Sequence, residues 1–111
     1  MLILGMLFVS GYMMAQVTSG AISGKVVDSK KQPLQGAKVK VTHVPSGSVY
    51  GSSSRSNGEY EVRGLRVGGP YTVEVSYLGK GKDRVDNVYV TLGEPISVDL
   101  TLEESATLIK E

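Results

Sequence analysis

Tyr71-Thr72-Val73-Glu74-Val75-Ser76-Tyr77-Leu78 decides the fold. Tyr71, Val73, Val75 and Tyr77 alternate with Thr72, Glu74, Ser76 and Leu78. A strand turns successive side chains to opposite faces, so the first set shares one face and lies against a core. The same period of two recurs on both sides of this stretch. Downstream, Ile96, Val98, Leu100 and Leu102 alternate with Ser97, Asp99 and Thr101. Upstream, Ala37, Val39 and Val41 alternate with Lys38, Lys40 and Thr42, and Ile22, Gly24 and Val26 with Ser23, Lys25 and Val27. Residues 49–54, 59–62 and 85–91 complete a set of seven strands over 21–28, 37–42, 49–54, 59–62, 71–78, 85–91 and 96–102. No helical period is sustained before the tail. Short strands at this spacing predict a sandwich or a barrel.

The connections carry their own chemistry. Residues 28–33 are polar and close on Pro33, which fixes φ and cannot donate to a ladder. Asn57-Gly58 suits the positive φ of a tight hairpin. Gly68-Gly69-Pro70 closes a loop before the strand at Tyr71. Leu92-Gly93-Glu94-Pro95 reads as another hairpin-like reversal.

The chain has 111 residues, room for one domain, and a formal net charge of +1. No strong field draws it to nucleic acid, and its basic residues are scattered. It has no cysteine, which excludes a disulfide framework, a thiolate metal site and a cysteine nucleophile. Its first charged side chain is Lys25, behind an apolar run over 2–14 that holds three of the four methionines, the fourth being Met1. That run is too short to span a bilayer as a helix, which takes about 20 residues. It suits the apolar region of a secretory signal over 1–15, with Ala15 before the cut. A linker is expected over 16–20, the sandwich over 21–103, and a linker or the start of a further region over 104–111. These segments predict export to the periplasm or outer membrane.

Little in the sequence is catalytic. His43 is the only histidine and is expected at a strand end on the surface, before Val44-Pro45. A lone histidine makes neither a triad nor a metal site. The serines between Ser46 and Ser56 sit in no nucleophile elbow. A calcium loop would place ligands at Ser53, Arg55 and Asn57, where the cation of Arg55 opposes the charge needed. Asp83, Asp86 and Asn87 lie beside Lys82 and Arg84 and read as a solvated loop. No catalytic residue, metal or cofactor is expected. The tyrosines suggest a stacking surface for sugars, with Tyr71 and Tyr77 claimed by the core. Tyr50 and Tyr89 are the candidate surface contacts.

Gly24-Lys25-Val26-Val27-Asp28, followed by Gln32-Pro33-Leu34-Gln35-Gly36-Ala37-Lys38-Val39, resembles the opening of carboxypeptidase-regulatory-like domains. Gly58-Glu59-Tyr60, Gly64-Leu65-Arg66 and Ser76-Tyr77-Leu78-Gly79 extend the likeness across residues 21–103. The resemblance implies an all-β, seven-stranded transthyretin-like (prealbumin-like) Greek-key β-sandwich. A narrower resemblance, carried by residues 42–51 and 64–79, is to the N-terminal extensions of Oar-like TonB-dependent outer-membrane receptors. The acidic-then-valine TonB box of that family does not occur in the sequence, and Lys80 stands where an aromatic is frequent. The resemblance implies a non-catalytic periplasmic domain whose partners are envelope proteins, either the receptor plug and barrel or TonB-type coupling machinery. A free-standing secreted module binding a glycan or a surface protein is the alternative. A transthyretin-like hydrolase would need several converging histidines and arginines. A Lys25–Asn87 isopeptide bond, of the kind found in related-looking adhesin domains, is conceivable but has no specific signal in the sequence.

Overall fold

The structure, a computed structural model, describes residues 19–103. The signal expected over 1–15 and the tail over 104–111 lie outside the described residues. Of the linker expected over 16–20, Ser19 and Gly20 open the first strand.

Among the described residues eight strands form: β1 (Ser19–Asp28), β2 (Lys38–His43), β3 (Ser48–Ser53), β4 (Glu59–Arg66), β5 (Gly68–Ser76), β6 (Asp83–Val90), β7 (Ile96–Ser97) and β8 (Leu100–Leu102). One sheet has the order β4-β1-β7, with β8 also on β1; the other runs β3-β2-β5-β6. The first and last strands pair in parallel, β1 with β7 and then β8, while the other pairs are antiparallel. The two sheets make the expected transthyretin-like sandwich, with eight strands in place of seven.

The inward sets read from the sequence form the core. Ile22, Val26, Val39, Val41, Tyr71, Val73, Val75, Leu100 and Leu102 are buried, joined by Tyr60 and Leu65 from β4. Each such side chain contributes about 1.5–3 kcal/mol by leaving water. Tyr77 and Ile96 are only partly buried at its margin.

The extra strand comes from one junction. The expected strand over 96–102 keeps one register along β1, from Ile22 opposite Ile96 to Asp28 opposite Leu102, but is interrupted between β7 and β8. Val98 N donates to Ser23 O at 2.7 Å, as a parallel ladder requires. The next rung would run from Lys25 N to Val98 O. Instead Lys25 N donates to the Asp99 carboxylate at 3.0 Å, and Val98 O accepts the Tyr60 hydroxyl at 2.6 Å. Two side chains thus replace one main-chain bond.

Other differences from the sequence reading have local causes. Asn57-Gly58 makes a tight turn, with Gly58 N donating to Arg55 O and Arg55 N to Glu59 O, both at 2.8 Å. It joins strands of different sheets, so it is no hairpin. Gly58 has φ 84°, and a Cβ there would stand 2.7 Å from Val26 O and 3.0 Å from Pro33 Cβ, so the turn packs directly on β1. The Leu92–Pro95 reversal likewise passes between sheets, from β6 to β7. The strand expected over 71–78 starts earlier, at Gly68, and ends at Ser76. Gly68-Gly69-Pro70 therefore lies within β5, with a register shift before Tyr71 that accommodates it; the Gly69–Pro70 peptide is cis.

The connection after β1 is tied by Asp28, whose Oδ1 accepts Lys30 N at 2.8 Å and Gln32 N at 2.9 Å. Buried Ser54 fastens the start of β2. Its Oγ accepts Ala37 N at 2.8 Å and donates to Leu34 O at 2.5 Å. Ser54→Ala is expected to strand both backbone groups away from water, costing about 2–3 kcal/mol. Chemical denaturation of the variant measures this; a loss under about 0.5 kcal/mol would mean that water reaches both groups.

Candidate binding surface

Tyr50 sits on edge strand β3, opposite Val41, and is half-buried against the core. Tyr89 sits on the other edge strand, β6, where it is 57% exposed and lies over Gly69, whose Cβ would be 3.3 Å from the ring. Tyr50 faces inward and Tyr89 outward, at opposite edges of one sheet. The structure does not bring the two together into a stacking platform.

His43 ends β2 as expected, but it is buried rather than at the surface. Its ring lies 4.9 Å from that of Tyr71, and its Nδ1 is 2.6 Å from Ser46 Oγ. The Ser46 contact holds the β2–β3 turn, and the ring contact packs β2 on β5. Tyr71 donates its hydroxyl to Arg66 O at 2.6 Å, and burial pushes its phenol up from the ordinary range. Tyr60 is pushed up too, by burial and then by the Asp99 carboxylate. Neither phenol is a base at neutral pH. Among the described residues no group of three or more His, Cys, Asp or Glu is placed to hold a metal ion. Lys25 on β1 and Asn87 on β6 belong to different sheets, and both are exposed.

The acidic set expected in a loop is part of β6. Between Val85 and Val88 the register against β5 shifts, with Asn87 at φ 60°. Asp86 and Asn87 are both exposed there, while Val85, Val88 and Val90 keep their inward side. This is a β-bulge, with asparagine at the left-handed position it tolerates. Asp86 Oδ1 accepts Arg84 Nε at 2.8 Å and Thr72 Oγ1 at 3.0 Å. The guanidinium bond of Arg84 and then the Thr72 hydroxyl hold the Asp86 carboxyl below the usual range. The Gln32 amide, then that of Lys30, does the same for Asp28.

Both shifts have one sign. A carboxyl whose folded pKa is depressed stabilises the fold above its unfolded value, near 3.9, and that contribution is lost as pH falls through the folded value. Thermal unfolding followed by circular dichroism is therefore expected to be flat from neutral pH to about pH 5 and to fall below about pH 4. The double variant Asp28→Asn, Asp86→Asn should lose part of that acid sensitivity. An unchanged profile would assign it to other carboxylates.

The outer face of the β3-β2-β5-β6 sheet carries Lys38, Lys40, Glu74 and Arg84 on neighbouring strands. Glu74 lies 3.9 Å from both Lys40 Nζ and Arg84 Nη1. These exposed pairs contribute little to stability. A shallow concavity of about 560 Å³ lies at one end of this face, against Lys38, Tyr77, Leu78 and Lys82. Another, of about 500 Å³, lies on the other sheet against Lys25, Glu59 and Asp99. Neither gathers a nucleophile, its base and an oxyanion donor set.

These features define a class: a two-sheet, prealbumin-like sandwich with a hydrophobic interior and a polar exterior. The sequence profile of the carboxypeptidase regulatory-like domain matches residues 21–103. The chain belongs to that family. No curated protein sequence matches it. Among solved structures it is similar to the major pilin subunit BcpA of Bacillus cereus, with TM-score 0.63, 17% identity, and 79% of this chain on 31% of the pilin. A chain of a type II cohesin–X-dockerin complex from Acetivibrio cellulolyticus gives TM-score 0.62 and 21% identity, over 81% of this chain and 61% of that one. The hydroxyquinol 1,2-dioxygenase of Pseudomonas putida gives 0.61 and 10%, over 83% and 58%. The chain spans only 17% of the Bacillus anthracis TIE protein, to which it is also similar. At these identities the likeness concerns the fold alone.

Proposed function

We propose that the chain is a non-catalytic, periplasmic N-terminal accessory domain of a TonB-dependent outer-membrane receptor, or a remnant of one. In this reading it is an interaction or coupling module in nutrient uptake. The observation that supports a binding role is the contrast between interior and surface. Its one histidine and its two most buried tyrosines are spent on packing and on holding backbone, while the exterior of the described residues offers strand edges and charged faces. The receptor context rests on the sequence likeness over residues 42–51 and 64–79.

Deleting residues 21–103 from a complete receptor that carries the domain, and measuring uptake at equal receptor level, tests the coupling role. Uptake should fall while the barrel remains in the outer membrane. Unchanged uptake would remove that role. Blotting fractionated cells with an antibody to residues 21–103 tests the location. A band in the outer-membrane fraction supports the receptor, and one in the periplasm or medium supports a free-standing module.

A further inference from the structure

The main-chain geometry singles out one edge of the sandwich. Val44 N donates to Pro70 O at 3.1 Å, so Val44 faces β5. In an antiparallel ladder both main-chain groups of a residue face one neighbour, and the neighbour alternates. Thr42, Lys40 and Lys38 then also face β5, leaving His43, Val41 and Val39 to face β3. Their partners in register are Ser48, Tyr50 and Ser52. At the far end Ser54 N donates to Ala37 O at 3.0 Å, which gives the same alternation independently. The N–H and C=O groups of Val49, Gly51 and Ser53 therefore point away from the sheet.

Edges of this kind are usually blunted by charge, proline or a covering element. Residues 48–53 carry no charge and no proline, and Val49 is 58% exposed. The edges at β4 and β6 differ. β4 presents the Glu61–Arg63 ion pair at 3.0 Å. β6 is tied to the other sheet near its start, where Thr101 N donates to Asp83 Oδ2 at 3.1 Å and Gly81 N to Glu103 O at 2.7 Å.

We infer that the β3 edge takes up an extended peptide segment as a fifth strand, and that this segment alternates acidic and apolar side chains. The alternation follows from what lies on each face. On the outer face Ser53 stands opposite Lys38 and Gly51 opposite Lys40, so the β3 residues between these lysines and an added strand are small. Carboxylates at alternate positions of the new strand reach toward both ammonium groups, with Glu74 as the competitor for Lys40. On the inner face the half-buried Tyr50 offers an apolar contact. A second copy of β3 would supply main-chain partners, but it would bring its own Lys38 and Lys40 toward the first pair.

This inference deepens the binding-module reading and is independent of the receptor. The test uses the isotope-labelled full chain, titrated to millimolar with a blocked five-residue peptide alternating glutamate and valine, and followed by amide NMR. Shifts should centre on Val49, Gly51 and Ser53. The lysine-for-glutamate peptide should bind about ten-fold more weakly. Gly51→Pro should abolish binding, because the amide it removes serves only the new strand and a Cβ there meets nothing closer than Val39 O at 4.0 Å. Lys38→Glu with Lys40→Glu should reverse the preference between the peptides, and it carries the test if the proline variant does not fold. Absence of shifts at β3, or equal binding of both peptides, overturns the proposal. Concentration-dependent shifts of the same amides without peptide overturn it in favour of a second copy. None of these results bears on uptake by a receptor lacking residues 21–103, so the two readings fail separately.

Discussion

Gly24→Ala is expected to prevent stable folding. Gly24 lies in β1 between Tyr60 of β4 and Val98 of the β7–β8 junction. A Cβ at this position would overlap the Val98 carbonyl oxygen and stand 3.1 Å from Tyr60 Cε1. The overlapped atom is backbone, and it is held by the Tyr60 hydroxyl at 2.6 Å. Relief needs β7 and β8 to move off β1, which takes Val98, Leu100 and Leu102 out of the core. Overpacking a core ordinarily costs about 1–3 kcal/mol, and a collision with a fixed carbonyl exceeds it. A small domain holds about 5–15 kcal/mol in total. The variant should yield little folded protein and lack a cooperative thermal transition. A transition within a few degrees of wild type would show that β7 is free to shift and that the junction is loose.

The second large effect is at Tyr60, and two substitutions divide it. Tyr60→Phe keeps the ring and leaves Val98 O without its partner, at an expected cost of about 1–3 kcal/mol. Tyr60→Ala also empties a site where the residue is 1% exposed, raising the cost to about 3–5 kcal/mol. Urea denaturation of the two variants gives both numbers. Equal losses would mean that the hydroxyl carries the effect and the ring little. A negligible loss for the phenylalanine variant would mean that Val98 O finds another donor, most directly Lys25 N released from Asp99.

Most of the sandwich was legible because its strands follow a period of two with unambiguous apolar faces. Val39 and Val41, Val73 and Val75, and Leu100 and Leu102 all point where alternation puts them. The bulge in β6 was less visible. Val85, Val88 and Val90 cannot share a face under strict alternation, and Asn87 was the local signal that one residue is extra. The split of the last strand left no trace in periodicity, since Ile96, Val98, Leu100 and Leu102 keep a perfect alternation through it. It arises from Tyr60 and Asp99, which are far apart in sequence and meet only in the fold. Turn chemistry at Asn57-Gly58 indicated a reversal correctly but could not say which sheet the chain enters next. The candidate surface was least legible. Tyr50 and Tyr89 stand out only as residue types, whereas the β3 edge depends on main-chain direction, which pairing alone determines.

The parallel pairing of β1 with β7 and β8 has a mechanical consequence. Parallel neighbours start at the same end, so Ser19 and Leu102 lie toward opposite ends of the sandwich. Tension applied through these two strands pulls them past one another along their length. It loads the rungs from Ile22–Ile96 to Asp28–Leu102 in shear, together, instead of peeling them one at a time. The side-chain clamp of Tyr60 and Asp99 lies midway along that line, where it ties β4 into the load and makes the domain a stiff link in any chain under pull.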